Sequence, residues 1–102
     1  MTYMINVDLE TRNVSGSNQL VIARAKGYVA MVPPAVEGQH GDVHTFRICC
    51  RLARGFALDD EQALHVLAEW NARCQPPWSE AELLEKLRRA ARYGREPIGG
   101  LL

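Results

Sequence analysis

The chain has 102 residues, with 12 Lys plus Arg, 12 Asp plus Glu and no formal net charge. That length suits one domain with a modest core. The 47 % apolar and 24 % charged content is ordinary globular usage, which excludes a wholly disordered chain and removes a general basic excess as an argument for nucleic-acid binding. Three cysteines, two of them adjacent as Cys49-Cys50, do not form a disulfide framework, and they point to a reducing, cytoplasmic setting. No uncharged apolar run approaches the roughly 18 residues of a membrane span, and Asp8 and Glu10 stand too early for a signal peptide, so no membrane partner is expected.

Residues 1–16 are mixed in character and are expected to be an irregular, mobile leader. Residues 17–102 are expected to form one domain. Ser17 is a plausible cap for a first helix at about 18–31, with Val21, Ala25, Tyr28, Val29 and Val32 at helical spacing and Pro33-Pro34 ending it. Asp42 is expected to cap a second helix over about 43–54, with Gly55 at its C′ position. Asp59, with Gln62 three residues on, predicts a capping box for a third helix over 60–73 that carries the stripe Ala63, Val66, Leu67 and Trp70. Ser79-Glu80-Ala81-Glu82 is a full capping box for a fourth helix over 80–93. Its apolar face is Leu83, Leu84, Leu87, Ala90 and Ala91, with Gly94 beyond its end and a tail from residue 95. The expected fold is therefore all-α, a compact bundle of about four short helices.

The second helix is apolar on two sides, Phe46–Cys49–Cys50–Ala53 and Ile48–Leu52, which predicts a central position. Between these sides lie His44, Arg47, Arg51 and Arg54, with no acid of the same helix facing them. Guanidinium presents a planar fork of donors suited to phosphate oxygens. The other possibility is pairing with acids of neighbouring elements, Asp59, Asp60, Glu61 or Glu69. In the fourth helix Glu80, Glu82 and Glu85 come first and Lys86, Arg88, Arg89, Arg92 and Arg95 follow, an order that complements the helix dipole. Glu82–Lys86 and Glu85–Arg89 are favourable pairs four residues apart, which leaves Arg88, Arg92 and Arg95 without a local partner. If the second and fourth helices pack side by side, Arg47, Arg51, Arg54, Arg88 and Arg92 form one basic surface.

Trp70 and Trp78 offer faces for base stacking, but an apolar stripe and a position just before a helix cap place both more naturally in the core. Asn71 is expected to hold the turn toward Pro76-Pro77. His40, His44, His65, Cys49, Cys50 and Cys74 lack metal-ligand spacing, so neither metal nor cofactor is expected. His65 sits between Glu61 and Glu69 on a solvated face, and Asp59-Asp60-Glu61 is a capping cluster. No phosphate-binding loop, nucleophile elbow or zinc-protease motif occurs, and no catalytic residue is expected.

Several segments resemble a known family. They are Pro33-Pro34-Ala35-Val36-Glu37-Gly38-Gln39-His40-Gly41-Asp42 with Thr45-Phe46, Arg54-Gly55-Phe56-Ala57-Leu58, Glu69-Trp70-Asn71-Ala72-Arg73-Cys74, and Pro76-Pro77-Trp78-Ser79-Glu80 with Glu82-Leu83-Leu84. Together they resemble the primase C-terminal domain, a helical domain of phage, plasmid and prophage primase-helicases, over about residues 23–102. Relatives often carry Gly-Gly-His where this chain has His40-Gly41-Asp42. The catalytic carboxylates of a primase and the phosphate loop of a helicase are both absent here. The resemblance thus implies an accessory role in DNA replication, with single-stranded or primer-template DNA and primase or replicative helicase domains as partners. The five arginines follow from helical spacing, not from the family pattern. A second possibility is a small phage or prophage interaction module that docks on a replication or host protein through an apolar end such as Leu101-Leu102, without binding DNA.

Overall fold

The computed structural model describes residues 18–102. Ser17 and the expected leader lie outside the described residues. Among the described residues there are four α-helices: α1 over 18–30, α2 over Gly41–Cys50, α3 over Asp60–Arg73 and α4 over Glu80–Tyr93. Among the described residues there is no strand, only a single parallel bridge between Val36 and Gln75. The all-α expectation holds, and no helix among these residues is long and apolar enough to cross a membrane.

The two helices with reciprocal caps begin where their capping chemistry dictates. Asp59 accepts from the Gln62 N–H at 2.8 Å while the Gln62 side chain accepts from the Asp59 N–H. Ser79 and Glu82 repeat the exchange at the start of α4. Each exchange satisfies two donors that a helix start leaves open. The Pro-rich loop between α3 and α4 is held by Asn71, whose side-chain amide donates to the Trp78 carbonyl and accepts from the Trp78 N–H, both at 2.8 Å. The amide thereby substitutes for a backbone peptide, the role expected of it near this turn. The same loop is tied to the α1–α2 connection, since Gln75 N–H donates to Ala35 O and Glu37 N–H to Gln75 O.

α2 departs from expectation at both ends. Its N-cap is His40, in the left-handed region at φ 60° and without a side-chain cap, so Asp42 falls in the first turn instead of capping the helix. There Asp42 complements the dipole and pairs with Lys86 at 2.9 Å. At the other end the helix widens into a π-helical segment, Arg51–Gly55, in which the Phe56 N–H reaches Arg51 O at 2.7 Å. Gly55 is not a left-handed C′ residue; Ala57, at φ 52°, makes the reversal. Gly55 serves a close approach instead, because a Cβ there would stand 2.6 Å from Leu101 Cδ1.

The core is built from the expected stripes. Ala25 and Val29 of α1, Ile48, Cys49 and Leu52 of α2 and its extension, Ala63, Val66, Leu67 and Trp70 of α3, and Leu83, Leu87 and Ala90 of α4 are all buried. α2 packs along α4, and its two apolar sides make it central. Ala91, expected on the inner face of α4, is exposed. The segment 95–102 is not a free tail. Leu101 N–H donates to Gly55 O and Gly99 N–H to Arg54 O, and Leu101 packs against the core.

Candidate nucleic-acid interface

The arginines of the expected basic surface separate into different roles. Arg54 turns inward, with Nε donating to Glu96 O and a terminal nitrogen to Ala91 O, each at 2.7 Å. It satisfies the Ala91 carbonyl in the last turn of α4 and clamps the C-terminal segment through Glu96 O, so it is a structural cap and not a groove cation. Arg88 reaches Asp60 at the start of α3 at 3.2 Å, an exposed pair across the α3–α4 contact. Arg73, outside the expected set, caps α1 by donating to Val29 O and Val32 O.

Arg47 and Arg51, one helical turn apart, remain on the solvent side of α2. Together with Arg95 from just beyond α4 they line an open groove whose wall includes Tyr28, Phe46 and Tyr93. Arg51 stacks over the Tyr28 ring at 5.6 Å from its centroid and stands 3.7 Å from Glu96, the one acid lining this groove among the described residues. Among the described residues Arg47, Arg92 and Arg95 make no ion pair. His44 lines the same groove, but its Nε2–H donates to Pro33 O at 2.6 Å, which fixes the ring. A second groove runs along α4 past Arg88, Arg89 and Arg92, with the acids Asp60 and Glu85 also in its wall. α2 and α4 do pack side by side, yet their arginine rows line these two grooves and meet only at Tyr93, which lines both.

Neither tryptophan is free to stack on a base. Trp70 is 1 % exposed and donates from Nε1 to Pro33 O at 3.1 Å. Trp78 is half-buried, donates to Thr45 Oγ1 at 3.0 Å and has the Lys86 ammonium 4.4 Å from its ring centroid. Lys86 is itself largely covered, at 18 % side-chain exposure, and bridges Trp78 and Asp42. The exposed aromatic on the basic side is Tyr93. Spacing had no means of marking it, because a Tyr one residue after an Arg at a helix end carries no periodic signal.

The cysteines are not poised for chemistry. Burial pushes the Cys49 thiol up to about 12, with Cys50 adding to the rise and Lys86 opposing it. Burial also raises Cys50 and Cys74. A thiolate nucleophile requires the opposite shift. Among the described residues no group of three His, Cys, Asp or Glu side chains is placed to hold a metal ion. Comparison with protein-family models, with curated proteins and with solved structures finds no match.

Proposed function

We propose that this chain is a non-catalytic accessory module of DNA replication, acting in the cytoplasm beside a primase or replicative helicase. It holds single-stranded or primer-template DNA on the groove between α1, α2 and the end of α4. The observation that carries this reading is the set Arg47, Arg51 and Arg95 around one open groove, with Glu96 as its only acid and two of the three arginines free of ion pairs among the described residues. The resemblance to the primase C-terminal domain over residues 23–102, phage and prophage members included, supports the same class. Arg88 and Arg92 lie in the second groove along α4, whereas Arg54 leaves the list of DNA contacts because its Nε and a terminal nitrogen are held by the backbone carbonyls of Glu96 and Ala91.

The competing reading, a module that docks on another protein without touching DNA, drew on the apolar pair Leu101-Leu102. Leu101 is taken up by packing on Gly55 and the core, which leaves Leu102 and Ile98 exposed. Fluorescence anisotropy with a labelled single-stranded oligonucleotide at low and high salt tests the DNA reading. Binding that weakens steeply with salt is expected, since each phosphate neutralised releases a counterion. A folded domain that binds no DNA at low salt would sink the proposal.

A further inference from the structure

The two basic grooves share one residue. Tyr93 ends α4, is 68 % exposed and lines both the groove of Arg47, Arg51 and Arg95 and the groove of Arg88, Arg89 and Arg92. Its ring has the Arg92 guanidinium 6.0 Å from its centroid. The ring is exposed and lies between the arginines of the two grooves, so its apolar face is open to a partner. Neighbouring Gly94 does have a packing reason: a Cβ there would lie 2.9 Å from Cys50 Sγ and from Arg54 Cδ. The end of α4 is therefore pinned against α2, and Tyr93 is held outward on a fixed backbone.

Resting on the DNA reading above, we infer that the ligand of this surface is a single strand and not a duplex, and that Tyr93 is the platform on which one of its bases stacks. A duplex keeps its bases stacked and shows only their edges in the grooves, so it offers no base face to a phenol ring between two arginine sets. A single strand can splay a base onto a ring while its backbone follows cationic side chains, the combination on which single-strand sites are built. Arg47 and Arg51 stand about 6 Å apart along the α2 axis, a step that the backbone of one extended strand can follow. Arg95 lines the same groove as these two, and Tyr93 also borders the second groove, where Arg92, which makes no ion pair among the described residues, lies with Arg88 and its partner Asp60. The two tryptophans, both committed to hydrogen bonds inside the fold, leave this role to Tyr93.

The test uses the whole chain, wild type, Tyr93→Ala and Tyr93→Phe, with an oligothymidine, a hairpin duplex and an oligonucleotide carrying one 2-aminopurine. Wild type is expected to bind the single strand more tightly than the duplex and to quench the 2-aminopurine. Tyr93→Ala is expected to lose roughly five- to hundredfold in single-strand affinity, to abolish the quenching and to leave the slope of affinity against salt unchanged. Tyr93→Phe should behave as wild type, because the ring face carries the effect. Equal affinity for duplex, or a Tyr93→Ala variant that binds and quenches like wild type, overturns the inference. If such a variant still loses affinity when Arg47 is replaced by Ala, DNA binding stands and only the stacking role of Tyr93 falls. Absence of binding to either DNA at low salt overturns both.

Discussion

Replacing Arg54 by Ala separates a structural arginine from a ligand-binding one. In the native fold its guanidinium makes two bonds of 2.7 Å to backbone carbonyls, Glu96 O and Ala91 O. Hydrogen bonds with a charged partner contribute about 1.5–3 kcal/mol each. The bond to Ala91 O lies on the exposed side, where water can take over much of it, so the pair together is worth about 2–3 kcal/mol. For a domain of this size each 1 kcal/mol moves the melting temperature by about 4–8 °C, which gives a fall of roughly 8–24 °C for Arg54→Ala. Arg54→Lys should recover little of it, since a single ammonium cannot reproduce the fork between two carbonyls. Thermal unfolding followed by circular dichroism reads the change, with Arg47→Ala as the control. Arg47 makes no ion pair among the described residues, and its replacement is expected to shift the midpoint by about 4 °C or less. An Arg54→Ala variant as stable as wild type, but defective in DNA binding like Arg47→Ala, would refute the division of roles.

Two glycine substitutions should act in opposite directions. Gly27→Ala on the outer side of α1, where a Cβ meets nothing within 4 Å, is expected to stabilise by about 0.5–1 kcal/mol in urea unfolding. Gly94→Ala, whose Cβ would lie 2.5 Å from Ala90 O, should destabilise by roughly 1–3 kcal/mol in the same assay. Trp70→Phe removes a buried indole N–H bond and leaves a small void, and should cost about 2 kcal/mol while DNA affinity stays unchanged, which separates core from interface. The Ser79 N–H and hydroxyl hold the Glu82 carboxyl below its ordinary 4.5, so its contribution to stability is present above that pH and is lost as the pH falls through the lowered value. Glu82→Gln should flatten that acid limb in urea midpoints measured between about pH 3 and 7.

How much of this was legible depended on the range of the determining interactions. α3 and α4 were readable to the residue because Asp59–Gln62 and Ser79–Glu82 are exchanges across three positions, and sequence displays such spacing directly. α2 was not. Its start relies on the backbone geometry of His40, and its end on a π-helical widening that coincides with the approach of Leu101, which is distant in sequence. Gly55 looked like a stop signal because Gly after a helix usually is one; here it makes room for another segment. The interface follows the same logic. Arg47 and Arg51 emerged from helical spacing, but the loss of Arg54 to the C-terminal segment and the separation of Arg88 and Arg92 into a second groove depend on where α4 and residues 95–102 come to rest. Arg95, unpaired by sequence but left out of the expected surface, joins it only in three dimensions.

The most direct test of the central claim is a backbone-amide NMR titration of the folded domain with a short single strand. The shifts are expected to concentrate on Arg47, Arg51, Tyr93 and Arg95 and to leave the acidic pocket of Glu37, Asp42 and Glu82 unperturbed. Shifts confined to that acidic pocket, or none at saturating DNA, would contradict the account.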